Sequence, residues 1–126
     1  MRLFLICLGG AVGTGARFLI SSWMARTLGT AFPYGTLTVN VLGSYLLSLI
    51  VQVALDTNLI SETLRLALTS GVMGGFTTYS TFNYETLAYV QQRAWALALA
   101  NVVVTGSGCL AAGLLGIFTA RWFIGR

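Results

Sequence analysis

Four long apolar stretches, separated by very short polar breaks, constrain this chain more than any other feature of its sequence. They lie at about 3–28, 36–55, 64–90 and 95–124. Each has the roughly 20 residues that a helix needs to cross the hydrocarbon core of a bilayer. No linker between them is long enough to separate two domains. We therefore predict an all-α membrane protein in which residues 1–126 form one domain of four transmembrane helices.

The composition agrees with a membrane protein and excludes other classes. Only 8% of the residues are charged, whereas a soluble domain uses about 25% to keep its surface in water. This excludes a water-soluble enzyme domain and an intrinsically disordered chain. The seven arginines are scattered rather than clustered, which argues against a nucleic-acid partner. Cys7 and Cys109 lie in apolar runs of a chain without histidine, so they offer no ligand set for zinc or an iron–sulfur cluster.

The arginines near the helix ends specify the orientation in the membrane only weakly. One side would hold Arg2, Arg65, Arg121 and Arg126, and the other would hold Arg26 and Arg93. The positive-inside rule depends on a clear asymmetry between the two sides, so this small excess permits insertion in both directions. Opposed copies could then pair as an antiparallel dimer. A single orientation with both termini in the cytoplasm is the alternative that charge alone leaves open.

Two charged residues fall inside the predicted spans. Arg17 lies near the middle of the first helix and Glu85 lies in the second half of the third. A charged side chain at the centre of a membrane helix costs roughly 2.5 to 3.5 kcal/mol on insertion scales, so neither residue should face lipid. Each either takes part in function or assembly, or is paired and only orients the helices.

The third helix carries a polar stripe inside the bilayer. Its members follow the spacing i, i+3, i+4, i+7, i+8, which places them on one helical face; they are Thr77, Ser80, Thr81, Tyr84 and Glu85. Hydroxyl groups can replace part of the hydration shell of an ion. The alternative is an ordinary helix–helix contact in which Ser and Thr supply interhelical hydrogen bonds.

Three further side chains favour an anion over a cation. Asn40 lies in an otherwise apolar run and offers amide N–H donors that are costly to leave unpaired in hydrocarbon. Tyr79 and Phe82 lie one turn apart and could present the positive edges of their rings to a small anion. The chain has only three carboxylates, too few for the acidic ring of a cation pore.

Glycines predict where helices approach closely and where one is broken. Gly9 and Gly13 in the first helix, and Gly71 and Gly75 in the third, have the small-xxx-small spacing of close helix contacts. The neighbouring pair Gly74 and Gly75 should weaken the middle of the third helix. We expect this helix to be broken there, with freed carbonyls that could bind a small cation.

These strings together resemble the Fluc family of fluoride channels, the CrcB type, over essentially the whole chain. The resemblance is carried by Gly-Gly-Ala-Val-Gly at 9–13 with Arg17 behind it, by Gly-Thr-Leu-Thr-Val-Asn at 35–40, and by Gly-Gly-Phe-Thr-Thr-Tyr-Ser-Thr-Phe at 74–82. It implies a dual-topology antiparallel homodimer with two fluoride pathways and a central structural Na⁺. It also implies a protein of the bacterial cytoplasmic (inner) membrane that passively exports fluoride trapped in the cytoplasm, which confers fluoride resistance.

The resemblance assigns roles to individual positions. Asn40 matches the pore asparagine, Tyr79 and Phe82 the two positions of the phenylalanine box, and Glu85 the acidic end of the motif. Ser80 and Thr81 match the polar track of the family, and Ser107 resembles a hydroxyl of its fourth helix. Gly74 and Thr77 match the residues whose backbone carbonyls would hold Na⁺. The chain departs from the family pattern at two of its positions, with Tyr79 where Phe is usual and Asn83 where Ser is common.

The mechanism that follows from this resemblance is a stepwise dehydration of fluoride. Arg17 and basic vestibules would concentrate the anion, which would then pass to Asn40 donors, aromatic ring edges and the hydroxyls of the third helix. Two other functions are consistent with four short helices. A proton-coupled multidrug exporter would need a carboxylate in its first helix, where this chain has Arg17. A non-transporting assembly subunit would use the polar stripe only for interhelical hydrogen bonds.

Overall fold

Helices make up nearly all of the computed structural model, which describes residues 1–125; Arg126, one of the arginines counted above, lies outside the described residues. The elements in chain order are α1 (Arg2–Leu28), α2 (Tyr34–Asp56), α3 (Glu62–Leu66), a π-helical segment (Ala67–Met73), α4 (Gly74–Phe76), α5 (Tyr79–Gln91) and α6 (Trp95–Ile124). The elements from α3 to α5 together form the third pass. The prediction of an all-helical protein with four passes is confirmed.

Three of the passes are continuous helices of membrane length. Helices α1, α2 and α6 have 27, 23 and 30 residues, and each is long and apolar enough to cross a bilayer. The third pass is interrupted, so no single helix in it reaches that length. The outward surface of the long helices is rich in exposed leucine, phenylalanine and valine, which suits a protein whose outer face meets lipid.

Side-chain caps mark where the parts of the third pass begin. The hydroxyl oxygen of Ser61 accepts a hydrogen bond from the backbone N–H of Leu64 at 3.3 Å and starts α3. Thr78 does the same for α5, accepting from the N–H of Thr81 at 3.2 Å. Such caps satisfy amides that the first turn of a helix leaves without partners. The first residue of α5 is therefore set by the side-chain cap of Thr78 and not by a change in hydropathy along the sequence.

Close backbone contacts through glycine hold the third pass against α1. A Cβ atom added to Gly9 would lie 2.7 Å from the carbonyl oxygen of Ala67, and one added to Gly71 would lie 2.7 Å from that of Ile6. Gly13 and Gly75 likewise leave no room for a side chain, because the backbones of Val72 and Gly10 fill the space. The predicted close approach at both glycine pairs is confirmed, and the structure shows that the two pairs meet each other.

The third pass is broken near its middle, as predicted, but not at the residues predicted. Gly74 has helical backbone angles, φ −61° and ψ −38°, and Gly75 lies within α4. The chain becomes extended at Thr77 (φ −86°, ψ 160°) and Thr78 (φ −153°, ψ 114°). Gly75 therefore serves close packing against α1 rather than unwinding, Gly74 continues the helix, and the break falls three residues after Gly74.

The position of the break also corrects the predicted polar stripe. Thr77 precedes the break and Tyr79 begins α5, so Thr77 does not share a continuous helical face with Ser80, Thr81, Tyr84 and Glu85. Its membership of that face was predicted wrongly because the spacing was counted through an uninterrupted helix. On α5 itself, Ser80, Thr81 and Tyr84 are exposed on the surface of the protomer, whereas Glu85 is half-buried.

Candidate functional site

Asn40 and the extended residue Thr78 form the centre of the candidate site. The side-chain oxygen of Asn40 accepts from the backbone N–H of Thr78 at 2.8 Å, and its amide nitrogen donates to the Thr78 carbonyl at 3.0 Å. Both residues are buried. Unwound backbone is tolerated at membrane depth only where its polar groups find partners. Asn40 on α2 supplies both partners, so it stabilises the break and keeps one amide proton for another acceptor.

Hydroxyl groups cluster at the start of α5, immediately after the break. The Thr78 hydroxyl donates to the hydroxyl oxygen of Thr81 at 3.0 Å and lies 3.4 Å from that of Ser80. Because Thr81 accepts this bond, its own proton is directed elsewhere. The positive end of the α5 helix dipole lies at the same point. Hydroxyl donors and a helix N-terminus in this arrangement favour an anion over a cation.

A cleft of about 310 Å³ between α2, α5 and α6 is lined by Asn40, Thr77, Tyr79, Phe82 and Thr105, together with Gly43, Ser44, Leu47, Gly106 and Cys109. The rings of Tyr79 and Phe82 lie 5.7 Å apart, inclined at 55°. The structure thus brings together the three side chains that favoured an anion in the sequence, Asn40, Tyr79 and Phe82, and Thr77 of the predicted polar stripe lines the same cleft. Aromatic edges and one amide donor in a small cleft suit a small anion.

Glu85 lies in a different cavity from these three residues. One of its carboxylate oxygens accepts from the Thr36 hydroxyl at 2.7 Å, and the other is buried without a partner among the described residues. The cavity has a volume of about 300 Å³ and is bounded by the α1–α2 connection and by Tyr34 and Tyr89. Glu85 therefore lies toward the end of the protomer that carries the α1–α2 connection.

Arg17 reaches the break from α1. One guanidinium nitrogen lies 3.5 Å from the carbonyl oxygen of Thr77, to which it donates. The residue is half-buried, and no carboxylate of the described residues pairs with it; their one ion pair joins Arg2 and Glu62 at 3.0 Å. The intramembrane arginine is therefore bound to unwound backbone, and its remaining donors are left for other acceptors.

The break frees the two carbonyls expected to hold a cation. In a continuous helix the Gly74 and Thr77 carbonyls would accept from the amides of Thr78 and Thr81. Those amides instead donate to Asn40 and to the Thr78 hydroxyl. Carbonyl oxygens are suitable ligands for a hard cation, and Gly74 lies on the surface of the protomer. Thr77 also accepts from Arg17, so a cation there would share this oxygen with a guanidinium group.

Ser107 is not part of the cleft. Its hydroxyl donates to the carbonyl of Val103 in its own helix at 2.6 Å, and the residue is exposed. The hydroxyl that α6 does contribute is that of Thr105, which is buried. Thr105 donates in turn to Asn101 at 3.3 Å. Sequence reasoning missed both, although Asn101 is a lone amide in an apolar run, the same signal that identified Asn40.

Comparison with known proteins places the chain in a family. Residues 4–117 match the family described as CrcB-like protein, Camphor Resistance (CrcB). A protein of Sorangium cellulosum named fluoride-specific ion channel FluC is 54% identical over 98% of this chain and 97% of its own. Proteins of the same name from Anaeromyxobacter dehalogenans and Geobacter metallireducens are 53% and 46% identical, over 98% and 96% of this chain and 98% of each of their own. A cleft that holds the buried polar side chains Asn40 and Thr105 beside a broken third pass, in a chain that these relatives match over nearly its full length, identifies this protein as a member of the CrcB-like family.

Proposed function

We propose that this protein is a fluoride-specific channel of the cytoplasmic membrane. Support comes from relatives that carry this name over nearly the full chain and from the cleft that joins Asn40, Tyr79 and Phe82. The family is one of ion channels and not of enzymes. The observation that carries the proposal is the pair of hydrogen bonds between Asn40 and Thr78. These bonds stabilise the unwound backbone of the third pass immediately before Tyr79, the first of the two aromatic residues in the cleft.

Fluoride requires donors close to its path, because a small anion is strongly hydrated. The second amide proton of Asn40 and the hydroxyl proton of Thr81 are not used by the hydrogen bonds described for those residues. The ring edges of Tyr79 and Phe82 add weak positive potential, and the start of α5 adds its dipole. The Ser80 hydroxyl lies 3.4 Å from the Thr78 hydroxyl, which is bonded to Thr81. These groups would replace water in steps, with Glu85 and Thr36 at one end of the pathway.

A second, oppositely inserted copy completes the channel in this proposal. Its main support is the surface of α5, where Ser80, Thr81, Asn83 and Tyr84 are exposed although they fall within a membrane pass. Polar side chains at such depth need a protein partner or a water-filled path. The two ends of the helix bundle are also similar in charge within residues 1–125: three arginines and two carboxylates lie at one end, and two arginines lie at the other, toward which Glu85 is also placed. Similar ends allow both orientations to insert.

The freed carbonyls of Gly74 and Thr77 support a structural Na⁺ between the two copies. One protomer offers two oxygens, fewer than a hard cation usually takes, so the opposed copy would supply the rest. When bound, the ion would bridge the protomers and add positive potential near the pathways. Arg17 would contribute positive charge at the same break. Na⁺ in this role stays in place and is not transported.

The proposed flow is passive and outward. Hydrogen fluoride is a weak acid that crosses lipid as the neutral molecule and dissociates in a more alkaline cytoplasm, which traps the anion. A channel that admits fluoride would then let it leave down its electrochemical gradient. The protein would thus lower cytoplasmic fluoride in a bacterial inner membrane without coupling transport to another ion.

Fluoride efflux from liposomes tests the proposal directly. The purified protein is reconstituted into vesicles loaded with potassium fluoride, and a fluoride electrode follows release after valinomycin is added to balance charge. We expect rapid release without a proton gradient, and little release from protein-free vesicles. No fluoride release above protein-free vesicles, or proton movement driven by a cationic drug, would contradict the proposal and favour an assembly subunit or an exporter.

A paired substitution shows whether the cleft carries the flow. Phe82→Ile removes the ring edge but keeps an apolar side chain, and we expect fluoride release to slow by about tenfold or more, the effect of losing one ligand interaction of roughly 1.4 kcal/mol. Phe118→Ile makes the same change on the lipid-facing side of α6, where Phe118 is exposed. This control should release fluoride as fast as the unaltered protein.

A further inference from the structure

A chain of three hydrogen bonds joins α6 to α5 beside the cleft. The Thr105 hydroxyl donates to the side-chain oxygen of Asn101 at 3.3 Å, and the amide nitrogen of Asn101 donates to the Thr86 hydroxyl oxygen at 3.0 Å. The Thr86 hydroxyl then donates to the backbone carbonyl of Phe82 at 2.8 Å. Each of these three hydrogen bonds therefore has one donated proton and one acceptor oxygen.

Asn101 is the centre of this chain and is almost completely buried. It is 1% exposed, and among the described residues only Val39 is a comparably large side chain buried to this degree. A buried amide is costly unless its groups are bonded, whereas an apolar residue of similar volume would need no partners there. The amide therefore imposes a geometry on its neighbours that an apolar side chain would not impose.

The residues at the two ends of this hydrogen-bond chain, Thr105 and Phe82, both line the cleft. Thr105 lines it from α6 and Phe82 lines it from α5. Lipid does not drive membrane helices together as water drives soluble ones, so hydrogen bonds and packing set the separation between α5 and α6. The bond from Asn101 to Thr86 crosses between the two helices, and the Thr86 bond to the Phe82 carbonyl lies within α5. The crossing bond therefore holds α5 against α6 one turn after the residue that carries the Phe82 ring.

We propose that Asn101 is a positioning residue for anion selection. It acts through Thr86 to hold the start of α5 at a set separation from Thr105 on α6, and so limits how far the cleft can widen around an anion larger than fluoride. Asn101 does not contact the ion in this proposal. The proposal rests on the proposed function, because it concerns the passage of fluoride through the same cleft.

Two substitutions of Thr86 test the link while Asn101 itself is kept. Thr86→Val has nearly the same shape but loses both hydrogen bonds, whereas Thr86→Ser keeps the hydroxyl. We expect Thr86→Val to slow fluoride release about tenfold and to increase chloride release relative to fluoride, and Thr86→Ser to stay within about twofold of the unaltered protein in both. Thr119→Val is the matched control, because Thr119 bonds only within α6, at 2.7 Å from the Leu115 carbonyl.

A double substitution separates positioning from general loss of structure. If Asn101 acts through Thr86, Asn101→Leu and Thr86→Val together should change the chloride-to-fluoride ratio no more than the stronger single change. Two independent defects would multiply instead, and that result would overturn the proposal. Melting in detergent checks that each variant is folded; if Asn101→Leu does not fold, the Val and Ser variants at Thr86 decide the question alone.

The unaltered protein is measured in the same vesicles so that the two proposals can fail separately. If it releases fluoride, and Thr86→Val matches it in rate and in the chloride-to-fluoride ratio, the positioning role is wrong while the channel function stands. If the unaltered protein releases no fluoride, both proposals are overturned.

Discussion

Asn40 and Thr78 are 38 residues apart in the sequence and exchange two hydrogen bonds, of 2.8 and 3.0 Å, between one side chain and one peptide unit. The side chain occupies both backbone groups of an extended residue that would otherwise be unpaired inside the membrane. One amide thus has two consequences: it permits the third pass to open, and it brings α2 to the wall of the cleft.

Replacement of Asn40 should therefore affect folding and transport together. Asn40→Leu leaves the N–H and the carbonyl of Thr78 without partners, at a cost of about 1 to 3 kcal/mol for each buried group. We expect a clearly lower melting temperature in detergent and almost no fluoride release. Gln52→Leu removes an amide from the same helix that bonds only to Asp56; it should release fluoride normally. An Asn40→Leu protein with normal melting and normal release would contradict this account of the break.

The glycine contacts between α1 and the third pass predict different effects for two glycines of one helix. A Cβ on Gly13 would overlap the backbone of Val72, whereas Gly15 has nothing within 4 Å. Gly13→Ala should lower the free energy of unfolding by several kcal/mol, about the size of other severe packing defects. Gly15→Ala should be neutral or slightly stabilising, since alanine favours a helix. Thermal melting of the two variants side by side checks this, and equal melting temperatures would refute the close contact.

Glu85 lies in its own cavity and accepts from Thr36, so its charge can be removed without removing the acceptor. Glu85→Gln should fold normally and release fluoride at least as fast as the unaltered protein, because removal of a negative charge cannot hinder an anion electrostatically. Glu62→Gln is the control, since its exposed pairing with Arg2 is worth only about 0 to 1 kcal/mol. If folded Glu85→Gln lost most of its fluoride release, the carboxylate itself would be required for passage.

Substitutions of Tyr79 test whether its ring or its hydroxyl group is needed for fluoride release. The ring packs against Phe82 at 5.7 Å, and the residue is 78% exposed on the protomer. We expect Tyr79→Phe to keep fluoride release within about twofold, and Tyr79→Leu to reduce it about tenfold through loss of the ring edge. Equal loss in both variants would assign the essential contact to the hydroxyl. Efflux from liposomes at matched protein density gives the comparison.

Opposed insertion can be tested by fixing the orientation. Asn58 and Leu59 lie exposed between α2 and α3, and Thr30 and Ala31 lie exposed between α1 and α2, at opposite ends of the protomer. Arginine at both residues of one connection should bias all copies one way, and arginine at both residues of the other should bias them the opposite way. Each biased protein alone should fail to protect fluoride-sensitive cells, and co-expression should restore protection. Full protection by either protein alone would exclude the antiparallel dimer.

The sequence indicated the class of protein and several parts of the site because those properties are local. Hydropathy and helix length belong to each segment by itself, so four passes followed from the apolar runs. The glycine pairs predicted that the first and third passes each approach another helix closely, since only a residue without a side chain permits such an approach; that they approach each other is a finding of the structure. A lone polar residue in an apolar run, such as Asn40, could be identified as a candidate site residue because burying it without hydrogen bonds costs free energy.

The tertiary structure alone decided which polar groups meet. The break falls at Thr77–Thr78 and not at Gly74 because Asn40, on another helix, supplies the hydrogen bonds that the unwound backbone needs. The α6 hydroxyl in the cleft is that of Thr105 and not that of Ser107, since helix rotation depends on packing against α2. Hydrogen-bond partners so far apart in sequence are set by how helices pack, and no segment of the chain contains that information by itself.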